Sequence, residues 1–131
     1  TLKEVDIIVD VPPDLPAAEF DAERIEQVLV NLMQNAIKYS PRRGHATMGA
    51  SCVGDEIVVS VADRGPGLDP SDVERVFERF YKADRSRAAS GSGLGLAIAK
   101  HMIQLHGGRI WVENDFGRGA TFKFSLPRAN P

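Results

Sequence analysis

Residues 25–40 read IEQVLVNLMQNAIKYS. Ile25, Val28, Leu29, Leu32, Met33 and Ala36 recur at the i, i+3, i+4, i+7 spacing of one face of an amphipathic helix. Asp21 stands where an N-cap belongs, Glu23 gives the first turn the charge its dipole favours, and Pro41 with Gly44 ends the helix. The same geometry gathers Asn31, Asn35 and Lys38 on a stripe bordering the apolar face. Two amides there offer oxygen ligands to a hard cation, and an ammonium suits phosphate. Tyr39 follows as an aromatic wall. A solvated polar face also contains such residues, so this stretch alone supplies a scaffold and leaves the chemistry open.

On the N-terminal side, EVDIIVDV (4–11) is rich in β-branched residues and reads as a strand. Pro12, Pro13 and Pro16 stop it, and residues 18–20 form at most a short strand segment. On the C-terminal side, residues 46–53 and 56–62 read as a strand pair joined by Gly54-Asp55, a two-residue hairpin signal. The loop DRGPGLDP (63–70) follows, then a short helix expected near residues 71–77 with Ser71 as its cap, and the aromatic cluster Phe77, Phe80, Tyr81. Residues 82–92 (KADRSRAASGS) have charge, small residues and no periodicity, as a loop does. A second helix is expected over residues 94–106, stopped by Gly107-Gly108. Strands at 109–114 and 120–126 flank the turn DFGRG and close the chain. Helices do not alternate one for one with strands, which disfavours a doubly wound parallel sheet. The expected fold is α+β, a two-layer sandwich of a mixed sheet with helices on one face.

The chain's 131 residues, 43% hydrophobic, suit one domain spanning 1–131 with a real core. With 16 basic and 18 acidic residues the formal charge is −2, giving no reason to expect a nucleic acid or a membrane surface as partner; any anion site must be local. The single cysteine, Cys52, precludes an intrachain disulfide, and its strand setting suits a reducing, cytoplasmic compartment. His45, His101 and His106 share no metal-ligand spacing with it. No apolar run is long enough to span a bilayer, and no signal peptide is evident. A start at Thr1 suggests a segment of a longer protein, expected to be monomeric in isolation.

Two glycine-rich loops carry the remaining chemistry. Asp63-Arg64-Gly65-Pro66-Gly67 sets a carboxylate at a strand end, able to accept a hydrogen bond from an exocyclic amine, beside glycines that admit a ligand close to the backbone. An ordinary strand-end turn has the same composition. Gly91-Ser92-Gly93-Leu94-Gly95 leads into a helix whose free N–H groups can hold phosphate oxygens. It is not a P-loop, because no Gly-Lys-Ser/Thr follows, and a charged loop rather than a strand precedes it, which excludes the dinucleotide fingerprint.

Taken in order, NLMQNAIKYS, DRGPG, VFERFY and GSGLGL resemble the N, G1, F and G2 boxes of the catalytic, ATP-binding domain of bacterial sensor histidine kinases. The resemblance runs from the strand before Asp21 to FKFSLP (122–127), and DRGPGL with VPPDLP is similar to the potassium-responsive type. It implies the Bergerat-type fold shared with gyrase, Hsp90 and MutL ATPases, a mixed, mostly antiparallel sheet on about three helices. It further implies that Asn35 ligates Mg²⁺ with Asn31 as helper, the ion bridging the ATP phosphates, and that Lys38 pairs with phosphate. Tyr39 would flank the adenine or ribose, Asp63 would take the adenine amino group, and Gly65 and Gly67 would leave room beside the base. Gly91, Gly93, Leu94 and Gly95 would close over the phosphates under a lid formed by residues 82–92. Arg79, in competition with Arg85 and Arg87, would be the added cation near the γ-phosphate. Phe77 and Phe80 are expected to pack the base of the lid, and Trp111 to belong to the core or sheet surface.

Hydrolysing relatives carry a Glu four residues before the metal-binding Asn. Here that position is Asn31, which has no proton-accepting carboxylate. The resemblance therefore implies transfer of the γ-phosphoryl group to a histidine on a separate dimerisation and phosphoacceptor domain, with a response regulator as indirect partner. No histidine of this chain lies in the motif of such an acceptor. A hydrolase and a degenerate nucleotide- or partner-binding module are the alternatives.

Overall fold

A computed structural model describes residues 6–10, 18, 20–39, 45–65, 67, 68, 70–73, 75–78, 95–115 and 118–128. The elements are β1 (Asp6–Asp10), α1 (Ala22–Tyr39), β2 (His45–Val53), β3 (Glu56–Ala62), α2 (Gly95–Leu105), β4 (Ile110–Asp115) and β5 (Gly119–Pro127). The strands form one sheet in the order β1-β2-β3-β5-β4. β1 runs parallel to β2, and every other pairing is antiparallel. This is the expected α+β sandwich with a mixed, mostly antiparallel sheet. Among the described residues it carries two α-helices.

Periodicity places the core. Ile25, Val28, Leu32 and Ala36 of α1, at the predicted spacing, are buried together with Ala99 and Ile103 of α2 against Ala46, Val61, Ala120, Phe122, Phe124 and Leu126 of the sheet. Burying a side chain the size of Val28 or Leu32 contributes about 1.5–3 kcal/mol, so this stripe, more than helix propensity, holds α1 in place. Asp21 is the N-cap. Its Oδ1 accepts from the Glu23 and Arg24 N–H groups at 3.1 and 3.3 Å. Its own N–H donates to His106 Nε2 at 3.1 Å, while His106 Nδ1 donates to the Met102 carbonyl at 2.7 Å. The imidazole thus ties the start of α1 to the end of α2.

Gly107 ends α2 in the left-handed region, φ 76°. Its N–H bonds Gln104 O, and the Gly108 N–H reaches back to Ile103 O, a Schellman motif. A Cβ on Gly108 would fall 1.8 Å from the Ser125 carbonyl oxygen, so only glycine lets the helix end approach β5. Ser125 is fully buried, and its hydroxyl accepts from the Arg109 N–H. The Arg109 side chain first, then Ser125, holds the Glu56 carboxyl below the ordinary carboxylate range. Arg109 also lies over the Trp111 ring, 4.4 Å from its centroid, so Trp111 belongs to the sheet surface as expected.

Among the described residues of 71–77 the expected helix is not found. Pro70–Asp72 make one 3-10 turn, and the described residues beyond it form turns closed by i→i+3 bonds such as Glu78 N–H to Arg75 O. Side-chain anchoring replaces the helical ladder: Val76 is buried, and Phe77 meets Phe122 edge-on at 5.9 Å. The expected segment at 18–20 reduces to one bridge, Ala18 to Arg128.

Candidate nucleotide-binding site

The polar stripe of α1 flanks the buried one, and the structure joins it to α2. Asn31 Nδ2 donates to the Gly95 carbonyl at 3.1 Å, and Asn31 Oδ1 accepts from Gln27 Nε2 at 2.8 Å. Both ends of the Asn31 amide are engaged, one on its own helix and one on the first residue of the helix that leaves the glycine-rich loop. Asn35, one turn further on, is half-buried, and among the described residues its amide has no hydrogen-bond partner. An amide oxygen so placed fits a hard-cation ligand.

Asp63 follows β3 on the helix-facing side of the sheet and is 5% exposed. Alternation explains this, because Val61 two residues earlier faces the core. Its backbone N–H donates to Ala120 O at 2.9 Å, and its Oδ1 accepts from the Gly65 N–H at 2.9 Å. Gly67 takes φ 74°, where a side chain would be strained. Leu68 then enters the same buried cluster as Ala36 of α1, which sets the Asp63 loop and the C-terminal half of α1 on one side of the molecule.

Two contributors escape sequence reading. Asn114 Oδ1 accepts from the Leu68 N–H, and Asn114 Nδ2 donates to the Leu68 carbonyl, both at 2.7 Å. That pair pins the loop after Asp63 to β4. Gly119, φ 131°, is the second: a Cβ there would lie 2.1 Å from the Asp63 carbonyl oxygen. In sequence Asn114 reads only as the end of a strand and Gly119 only as the last residue of the turn DFGRG.

The structure therefore brings Asn31 to Gly95 and Asp63 to Gly65, and sets Asn35 beside the first pair's helix. Lys38 and Tyr39 occupy the last turn of α1, but their side chains lie outside the described residues. So do Arg79, Phe80, Arg85, Arg87, Gly91, Gly93 and Leu94. Among the described residues no group of three or more His, Cys, Asp or Glu could hold a metal ion, and no helix is long and apolar enough to cross a membrane.

The fold is shared with known proteins. Residues 20–130 match the family model described as histidine kinase-, DNA gyrase B- and HSP90-like ATPase. Sensor histidine kinase WalK of Bacillus subtilis is 45% identical over 129 residues, which make up 95% of this chain and 21% of WalK. ShkA, solved at full length in complex with AMPPNP, is 34% identical with a TM-score of 0.84 over 97% of this chain and 26% of its own. The mycobacterial sensor histidine kinase MprB is 29% identical, with a TM-score of 0.87 over 97% of this chain and 86% of the MprB chain. This chain thus spans about a fifth of WalK's length.

Proposed function

Because the chain belongs to the histidine kinase-, DNA gyrase B- and HSP90-like ATPase family, we propose that it is the ATP-binding catalytic domain of a sensor kinase. It binds Mg-ATP and passes the γ-phosphoryl group to a histidine on a dimerisation and phosphoacceptor domain of the same protein, with a response regulator downstream. Residues 1–131 form one such domain, working on the cytoplasmic side, where ATP is found.

The observation that carries phosphoryl transfer over hydrolysis is the Asn31 amide, bonded to Gln27 and Gly95. Neutral and engaged at both ends, it cannot take a proton from water. Its role is to hold Gly95, the start of α2, against α1. Asn35 supplies the amide oxygen toward Mg²⁺, assisted by Asn31. Mg²⁺ held by these amides would supply positive charge to the ATP phosphates. Asp63 accepts from the adenine amino group, with Gly65 and Gly67 beside the base and Tyr39 flanking it. Lys38 and Arg79 meet the phosphates under Gly91, Gly93, Leu94 and Gly95.

The reading is tested by calorimetric titration with a non-hydrolysable ATP analogue, with and without Mg²⁺, against the GTP analogue. Magnesium-dependent binding of the adenine analogue alone is expected. No binding would move the assignment to a degenerate partner-binding module.

Asp63→Asn is expected to weaken ATP by about tenfold or more, the loss of a charge-assisted hydrogen bond. The unliganded thermal midpoint should change little, because an asparagine oxygen still accepts from Gly65. Equal binding by the variant would remove Asp63 from the adenine contact. Asn31→Glu should raise ATP hydrolysis measurably above the parent in a phosphate-release assay. If it does not, the missing general base is not what restrains water.

A further inference from the structure

The helix-facing side of the sheet carries the core and Asp63, and alternation turns the neighbouring side chains to the opposite face. In register across the strands, Thr47, Ala62, Thr121 and Glu113 form one row on that face. With Arg64 and Arg118 they line a concavity of about 420 Å³, within the span of roughly 300–1,000 Å³ usual for small-ligand sites.

Its chemistry is one-sided. The Glu113 carboxylate is paired with Lys123 Nζ at 2.8 Å. The Asp63 side chain points to the other face, where it accepts from Gly65. Among the described residues, Arg64, Arg118 and the Thr47 and Thr121 hydroxyls have no hydrogen-bond or ion-pair partner. Two guanidinium forks and two hydroxyls that can donate surround a space with no uncommitted carboxylate among these lining side chains. Arginine forks match the geometry of phosphate oxygens.

We propose that this concavity is a second anion site, separate from the nucleotide side of the sheet, that takes a phosphate oxyanion, free or as the terminal group of a small metabolite. Arg64 and Arg118 supply the charge, and Thr47 and Thr121 supply the neutral donors.

The test is amide NMR of the 131-residue chain at constant ionic strength, titrated with inorganic phosphate, with glycerol 3-phosphate and with chloride. Saturable shifts at residues 47, 64, 118 and 121 with the phosphates and not with chloride are expected. Equal affinity for the two phosphates would point to the free ion, and tighter glycerol 3-phosphate to a metabolite. Arg64→Ala with Arg118→Ala should weaken binding by about tenfold or more, with amide shifts elsewhere unchanged; Thr121→Val should weaken it by a smaller factor. Shifts that grow linearly and equally with chloride would overturn the proposal. So would saturable shifts confined to α1 and residues 91–95, which would put the phosphate on the nucleotide side.

Discussion

Asn35→Ala leaves the unliganded fold intact and lowers magnesium-dependent nucleotide affinity by about a hundredfold. The side chain is half-buried beside the core stripe of α1 and has no hydrogen-bond partner among the described residues. Its removal therefore orphans no neighbour, and alanine is the best helix former. Without ligand, thermal unfolding should match the parent. With the ATP analogue, the gain in affinity on adding Mg²⁺ should vanish while any magnesium-independent binding persists. A variant that keeps the full magnesium effect would take Asn35 out of the metal site, and one that unfolds would show that its role is structural.

Gly119→Ala is expected to damage fold and site together. The backbone at φ 131° is one that side chains rarely adopt, and the new Cβ would lie 2.1 Å from the Asp63 carbonyl oxygen and 3.1 Å from Arg64 Cα. Strain and overpacking together cost about 2–5 kcal/mol. The displaced atoms belong to the strand end that carries Asp63, the carboxylate proposed to take the adenine amino group, so the fraction that still folds should bind nucleotide more weakly. Gly54→Ala is the control. Its φ is 60°, yet a Cβ there meets nothing within 4 Å, so only the left-handed conformation is penalised, at about 1–2 kcal/mol. Urea unfolding of the two variants separates the outcomes: equal losses would mean that the contact with Asp63 is relieved cheaply.

The features legible in the sequence were those written in local periodicity. The buried stripe of α1, the Asp21 cap, the Gly54 turn, the glycine end of α2 and the closing strand pair all depend on residues close in the chain. The short helix expected after Ser71 was the local reading that failed, because Val76 and Phe77 are held by the core rather than by a helical ladder. The hidden features are contacts between distant residues. Asp21 meets His106 across 85 positions, Asn31 meets Gly95 across 64, and Leu68 meets Asn114 across 46. No propensity rule pairs such residues. Within the site, the resemblance picked out Asn31, Asn35 and Asp63, but not that Asn31 is tied to α2 or that Gly119 presses on the Asp63 backbone.

At Asn114 a single side chain impersonates a peptide unit. Its amide offers Leu68 both a donor and an acceptor, as an adjoining strand would. Aspartate, the nearest isostere, could return only the acceptor and would leave the Leu68 carbonyl unanswered in a partly buried place. Because Asn114 engages the backbone of residue 68, the chain that follows Asp63 is held at Leu68 from outside itself. The freedom to vary is thereby withdrawn from a residue 46 positions away.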